Sequence, residues 1–113
     1  MSGATGKGRA GEDAAARYLE SLGYRILRRN VRGPDGEIDI LARDGNVLVF
    51  VEVKARARRT FGSALGAVDA RKRARIRALA ADYLQFLPAQ TKVRFDVVAF
   101  DAGRIAHHRG AFA

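Results

Sequence analysis

The spacing of apolar and polar positions along the chain predicts an α/β protein. Apolar residues recur with helical spacing over residues 10–22, and Gly23 is suited to end this first helix. A second helical pattern extends over residues 69–87 and stops before Pro88. Residues 1–8 are small and Gly-rich, so we expect a flexible N-terminus.

The remaining segments have the composition and alternation of β-strands. Strands are predicted at residues 24–31, 37–42, 47–54 and 92–100, with a further short strand near residues 104–107. Residues 47–51 are apolar on both faces, which predicts a central strand. The expected fold is a single domain with a mixed central β-sheet flanked by two helices, in the order α-β-β-β-α-β with a possible further strand.

The central strand ends in polar residues that can carry chemistry. Glu52 and Lys54 are two positions apart, so their side chains share one face of the sheet. Taken alone, this pair is more typical of the solvated end of a buried strand than of a site. The preceding strand decides between the two, because pairing of Ala42 with Val47 would place Asp39 diagonal to Glu52 at about 7–8 Å. Any odd sum of paired residue numbers keeps Asp39 on that face, and an even sum removes it.

Two further acids enter the same argument. Asp35 is an alternative to Asp39, but its Pro-Asp-Gly context is ordinary turn chemistry. Asp39 lies between Ile38 and Ile40, where a carboxylate needs a cation or several hydrogen bonds to offset its desolvation. Glu12 falls on the core side of the first helix, although the helix dipole also favours an acid in the first turn.

Carboxylates that share one position repel each other, and a divalent cation relieves that repulsion. Without cysteine, a metal site in this chain must use oxygen or histidine ligands, which favours Mg²⁺ or Mn²⁺ held by Asp39 and Glu52. Such an ion could polarise a phosphodiester oxygen, while Lys54 orients water or stabilises developing charge. His107 and His108 are interpreted as surface residues.

The charge distribution favours a polyanionic partner. The 113 residues carry 21 Lys and Arg against 12 Asp and Glu, a formal net charge of +9. Nine of the basic residues and one acid lie in residues 54–77, which is either a solvated face or a phosphate-binding surface. The residues assigned to nucleic-acid contact are Arg56, Arg58, Arg59, Arg71, Lys72, Arg73 and Arg75. No apolar run is long enough for a membrane span, so a cytoplasmic protein is expected.

The order of Asp39, twelve intervening residues and then Glu52-Val53-Lys54 resembles the PD-(D/E)xK nuclease superfamily. Nearly the whole chain also resembles the YraN-type family of small bacterial proteins. The segments that carry this resemblance are Gly11-Glu12, Gly36-Glu37-Ile38-Asp39, Phe50-Val51-Glu52-Val53-Lys54-Ala55-Arg56, Phe61-Gly62 and Arg94-Phe95-Asp96-Val97-Val98.

The resemblance implies a restriction-endonuclease-like fold and a function. The family is similar to archaeal Holliday junction resolvases, in which a glutamate of the first helix joins the Asp and Glu-x-Lys residues. This implies a catalytic set of Glu12, Asp39, Glu52 and Lys54, a branched or structured DNA substrate, and a homodimer for paired cutting. A non-catalytic nucleic-acid-binding protein that retains the fold and an RNA-binding protein are the alternatives. Asp96 is a further candidate, with pairing to Arg94 as its structural interpretation.

Overall fold

Five strands form one sheet, in the order of the chain, in a computed structural model that describes residues 6–34, 36–56, 70–101 and 103–112. The elements are α1 Gly6–Ser21, β1 Arg25–Gly33, β2 Gly36–Asp44, β3 Val47–Arg56, α2 Ala70–Leu84, β4 Lys92–Asp101 and β5 Arg104–Phe112. Neighbouring strands are antiparallel except β3 and β4, which are parallel and are connected through α2. The predicted mixed sheet with two helices is confirmed and is compatible with the restriction-endonuclease-like fold. Neither described helix is long and apolar enough to cross a membrane.

Several element ends differ from the sequence prediction, and α2 ends at Leu84 instead of continuing to residue 87. Helix α1 begins at Gly6, so residues 6–8 belong to it, and β5 extends to Phe112 instead of ending near residue 107. Strand β1 continues to Gly33, where an added Cβ would lie 2.5 Å from Leu79 Cδ1, so the strand end packs directly on α2. Position 69, where the second helix was predicted to begin, and Asp35 lie outside the described residues.

Helix α1 ends where its sequence predicted. Gly23 has φ 94°, a conformation that glycine adopts without steric cost. Its N–H donates to the carbonyl of Glu20 at 2.9 Å, and the N–H of Tyr24 donates to the carbonyl of Leu19 at 3.0 Å. This pair of hydrogen bonds is a Schellman motif, which satisfies the last carbonyls of the helix and turns the chain into β1.

The sheet buries a separate core on each face. On one face, α1 contributes Ala15 and Leu19 to a cluster that includes Val49 and Val51 of β3. On the other face, α2 packs Ile76, Leu79 and Ala80 against a cluster that includes Leu48 and Phe50. Strand β3 therefore has apolar residues on both faces because a helix covers each one, as its composition predicted.

The β2–β3 hairpin fixes the position of Asp39. Its turn is Gly45-Asn46, with Asp44 paired to Val47, so the predicted pairing of Ala42 with Val47 is wrong and Ala42 pairs with Val49. The difference arises because the glycine-containing turn closes with two residues instead of four, Gly45 having φ 62°. The register shifts by two, which preserves the face of every side chain.

Strands β2 and β3 separate beyond the pair Ile40 and Val51, whereas β3 remains paired with β4 as far as Arg56. At this point β1 and β2 also change the faces they present. Ile40 packs in the α1 cluster and Ile38, only two residues away, packs in the α2 cluster. Asn30 of β1 lies beside this change with φ 55°, a left-handed conformation that asparagine tolerates better than most residues. The parted strands leave space for a site next to Asp39.

Candidate active site

A cavity of about 370 Å³ lies where β2 and β3 part, below the first turns of α2. It is lined by Gly36, Glu37, Asp39, Glu52, Lys72, Arg75 and Ile76. Three acids of two neighbouring strands and two basic residues of one helix therefore line the same space, which we call the site cavity.

Glu52 is the most buried acid of the site cavity, with 3% exposure. Its position follows from β3, in which the α2 face carries Leu48 and Phe50 and then changes to charged side chains. The ammonium groups of Lys54 and Lys72 both contact the same oxygen of Glu52, Oε2, and the Lys54 distance is 3.5 Å. A buried carboxylate requires such partners to offset its lost hydration.

Asp39 lies close to Glu52 and is held by the backbone. The N–H of Val53 donates to Asp39 Oδ2 at 2.8 Å, and so finds an acceptor where the β2–β3 ladder has ended. Burial, followed by the charges of Glu52 and Glu12, raises the pKa of Asp39 to about 7, against the opposing effects of the Val53 N–H and Lys72. An acid with this pKa is half protonated at neutral pH unless a cation approaches it.

Glu12 reaches the site from the other face of the sheet. It is 9% exposed on α1, and its charge contributes to the raised pKa of Asp39. Arg29 of β1 lies 3.4 Å from Glu12 Oε1 and makes its shorter contact, 2.6 Å, with Asp13. Glu12 thus acts on the site electrostatically, through Asp39.

The two lysines are themselves perturbed by their proximity. Burial, and then the neighbouring Lys72, lowers the pKa of Lys54, although Glu52 partly restores it. Burial also tends to lower the pKa of Lys72, but the hydrogen bond and charge of Glu52 outweigh burial and raise it overall. Lys72 is therefore the more firmly charged partner of Glu52, and Lys54 is the lysine that releases a proton more readily.

The residues present fit a hard divalent cation. Asp39 and Glu52 offer buried carboxylate oxygens whose mutual repulsion a cation would relieve, and Mg²⁺ sites commonly use one or two carboxylates with water and phosphate. Among the described residues, no group of three or more acids or histidines lies close enough together to hold a metal. A cation would accordingly have these two carboxylates as its side-chain ligands.

Comparison with known proteins places this geometry in a family. The model of the uncharacterised protein family UPF0102 matches residues 11–100, which include Glu12, Asp39, Glu52 and Lys54. The chain belongs to this family. A UPF0102 protein of Frankia casuarinae is 50% identical over 111 residues, covering 93% of this chain and 94% of that protein. One from Symbiobacterium thermophilum is 52% identical over 97 residues, covering 85% and 82%. One from Thermodesulfovibrio yellowstonii is 43% identical over 105 residues, covering 93% and 94%. These relatives carry the family name alone, and they confirm the resemblance inferred from the sequence.

The predicted phosphate-binding residues divide into three groups in the UPF0102 structure. The side chains of Arg56, Arg58 and Arg59 lie outside the described residues. Arg71 is exposed on α2, Arg75 is exposed at the site cavity, and the guanidinium of Arg73 lies 5.9 Å from the centroid of the Phe112 ring. Lys72 lines the site cavity and pairs with Glu52, and its assignment to nucleic-acid contact stays a prediction.

A sequence signal for Lys72 existed in the helical period. Lys72 precedes the buried Ile76 by four residues, so it continues the core-facing stripe of α2 by one turn. A core-facing lysine above the polar end of the central strand could have been paired with Glu52 on that basis.

A second polar cluster contains Asp96 and shows that His107 is not a surface residue. Asp96 is fully buried and accepts hydrogen bonds from Arg94 Nε at 2.8 Å and from the N–H of Gly110 at 3.1 Å. The side chain of His107 is 5% exposed, with Nε2 2.7 Å from Asp96 Oδ2 and Nδ1 3.2 Å from the hydroxyl of Tyr18. The structural interpretation of Asp96 holds, because these contacts join β4, β5 and α1 on the face away from α2.

Sequence analysis also missed an arginine cluster on β1 and β2. Arg25 pairs directly with Arg43, and Arg28 pairs with Leu41, the residue two positions from Arg43 on the same face. All three arginines are exposed, and within the described ranges none of them forms an ion pair. Like charges in opposite positions are unfavourable unless an anion lies between them. This cluster is a second surface suited to phosphate.

Proposed function

We propose that this UPF0102 protein is a metal-dependent endonuclease that hydrolyses phosphodiester bonds in branched or otherwise structured DNA. The observation that carries the proposal is the convergence of Asp39 and Glu52 in one cavity, together with two lysines, on a strongly basic protein. A module that only binds nucleic acid gains nothing from buried acids next to phosphates, because they repel the ligand.

In this proposal Asp39 and Glu52 hold Mg²⁺ or Mn²⁺, which supplies a Lewis acid for the phosphodiester and lowers the pKa of a water molecule. The Val53 N–H keeps the Asp39 carboxylate in place. The negative charge of Glu12 raises the pKa of Asp39 and so favours binding of a cation to the Asp39 carboxylate. Lys54, fixed on the same strand as Glu52, orients the attacking water or stabilises charge on the phosphate. Burial and the neighbouring Lys72 also lower the pKa of Lys54, which makes release of its proton easier.

The substrate class rests on charge and on the family resemblance. Arg75 lines the site cavity and Arg71 is exposed on the same helix, while the cluster of Arg25, Arg28 and Arg43 offers a separate phosphate-binding surface. These contacts would position a nucleic acid without reading its sequence. Similarity to Holliday junction resolvases favours branched DNA over a linear duplex.

One observation favours a second candidate, a nucleic-acid-binding protein without catalysis. Glu52 already has two ammonium partners on Oε2, and this ion-pair cluster is neutralised without a metal. A structural role for the cluster would make the basic surfaces the sole functional feature.

Cleavage of labelled four-way junctions, flaps, duplexes and single strands, with Mg²⁺, Mn²⁺ or chelator, separates these candidates. Glu52→Gln and Lys54→Met should each abolish cleavage, since one removes a ligand charge and the other removes the ammonium. Glu52→Gln should keep or improve DNA binding without metal because a repulsive charge is lost. Asp82→Asn on the exposed face of α2 and Lys92→Met at the start of β4 are the matched controls and should cleave normally.

Cleavage at the wild-type rate by both Glu52→Gln and Lys54→Met would show that the site cavity is not the active site. Salt-sensitive binding without cleavage of any substrate in the panel would support the non-catalytic candidate.

A further inference from the structure

Lys72 and Lys54 share a single carboxylate oxygen, which brings their two positively charged ammonium groups close together. Both ammonium groups lie on Glu52 Oε2, and the proximity of Lys72 lowers the pKa of Lys54. Like charges this close are tolerated because the carboxylates of Glu52 and Asp39 lie next to them. The cluster is therefore balanced only as long as no further cation enters.

A divalent cation would upset that balance. When both carboxylates are charged, the two lysines balance them, so Mg²⁺ or Mn²⁺ adds two positive charges at a buried position. The cation also needs oxygens of Glu52, and the ammonium of Lys72 occupies one of them. If one ammonium leaves, the excess positive charge is reduced and an oxygen of Glu52 becomes available to the cation.

The structure identifies Lys72 as the group that can leave. Lys54 is on the same strand as Glu52 and two residues from it, so its stem is fixed alongside the carboxylate. Lys72 comes from the first turn of α2, its side chain is 33% exposed against 26% for Lys54, and it lines the site cavity beside Arg75. A lysine stem has four rotatable carbons, which allows its ammonium to move within the cavity without moving the helix.

We propose that Lys72 takes the place of the divalent cation on Glu52 in the metal-free protein, and that metal binding displaces its ammonium towards the phosphodiester. This inference rests on the proposed function for the metal and the substrate. Lys72 thereby stabilises the buried Glu52 when no metal is present, and then joins Arg75 in holding a phosphate oxygen. Metal and nucleic acid would consequently bind cooperatively, because the phosphate accepts the ammonium that the metal releases.

The test is a titration of the protein with Mn²⁺ in the absence of nucleic acid, in which the electron paramagnetic resonance signal measures the free Mn²⁺. Lys72→Met removes the competing ammonium and should lower the Kd for Mn²⁺ about tenfold, since a unit charge next to an ionic site commonly shifts its equilibrium by one order of magnitude or more. Lys72→Arg keeps a competing cation and should bind Mn²⁺ about as the wild type does. Lys92→Met, at an exposed position at the start of β4, loses the same charge and controls for the overall field.

A second readout covers the effect of the substitution on folding. In chelator, Lys72→Met should have a lower Tm than wild type because Glu52 loses a partner, and saturating Mn²⁺ should raise its Tm by more than it raises that of wild type. Wild-type Mn²⁺ binding with an equal or higher Kd in Lys72→Met would overturn this inference and leave the nuclease proposal standing. Absence of Mn²⁺ binding in both proteins would overturn both.

Discussion

Replacing Arg94 by Met should destabilise the protein by about 3 kcal/mol without removing a residue of the site cavity. Arg94 donates from Nε to Asp96 Oδ1 at 2.8 Å and from Nη2 to Oδ2 at 3.1 Å, which is a bidentate pair with a fully buried carboxylate. Methionine keeps most of the stem and removes all of the donors. The substitution therefore leaves the charge of Asp96 inside the protein with fewer partners.

The magnitude follows from what remains around Asp96. Breaking a buried ion pair by removing one partner costs about 3–5 kcal/mol. His107 at 2.7 Å and the N–H of Gly110 at 3.1 Å still contact Asp96 in the variant, which favours the lower end of this range. Arg94 also bonds to Asp44 at 3.0 Å, but that carboxylate is partly exposed and can be hydrated instead. Stability of the wild type on the order of 5–15 kcal/mol leaves the variant folded in dilute buffer.

Equilibrium urea unfolding at pH 7 measures this loss. With an m-value of about 1.5 kcal/mol/M, a loss of about 3 kcal/mol lowers the midpoint by about 2 M. Arg43→Met removes an exposed guanidinium from β2 and should change the midpoint little. A loss below about 1 kcal/mol for Arg94→Met would refute the account of Asp96 as a charged structural centre.

Three further results are expected. Burial tends to raise the pKa of Asp96, but hydrogen bonds from His107, Arg94 and Gly110 outweigh it and lower the pKa. The stability that Asp96 contributes is therefore present above about pH 4 and is lost in acid. Urea unfolding between pH 7 and pH 3 should show that Asp96→Asn loses less stability than the wild type does. The pKa of Asp39 is raised to about 7, so the stability of the wild type in chelator should fall as pH rises from about 4 to about 7. In the same unfolding assay at pH 8, Asp39→Asn should be more stable than the wild type by at most about 4 kcal/mol. If phosphates contact α2, the double replacement of Arg71 and Arg75 by Ala should reduce the log-log salt slope of duplex binding by about 0.9 per lost contact, and an unchanged slope would place the nucleic acid elsewhere.

The sequence was sufficient for features that depend on local periodicity. The two helices, the order of the strands and the two-sided burial of β3 all follow from which positions are apolar, because each helix needs one face covered and β3 is apolar on both. The prediction that Asp39 lies on the same side of the sheet as Glu52 was also correct, although the predicted pairing at the β2–β3 turn was wrong. A shift of two residues changes the partner of each side chain but preserves its face.

Contacts between elements distant in the chain were less accessible, and Lys72 shows the physical reason. Helical periodicity predicts that Lys72 faces the sheet, but the carboxylate it meets depends on how α2 crosses β3 and on where β2 leaves β3. His107 was misassigned for a similar reason: its burial depends on β5 continuing to Phe112 and pairing with β4, so that β5 brings His107 to Asp96. In both cases a charged or polar side chain that looks solvated in the sequence is drawn at least partly out of solvent by a partner on another strand or helix. The free energy of burying such a group depends on that partner, and the pattern of residues along the chain does not show which partner the group will meet.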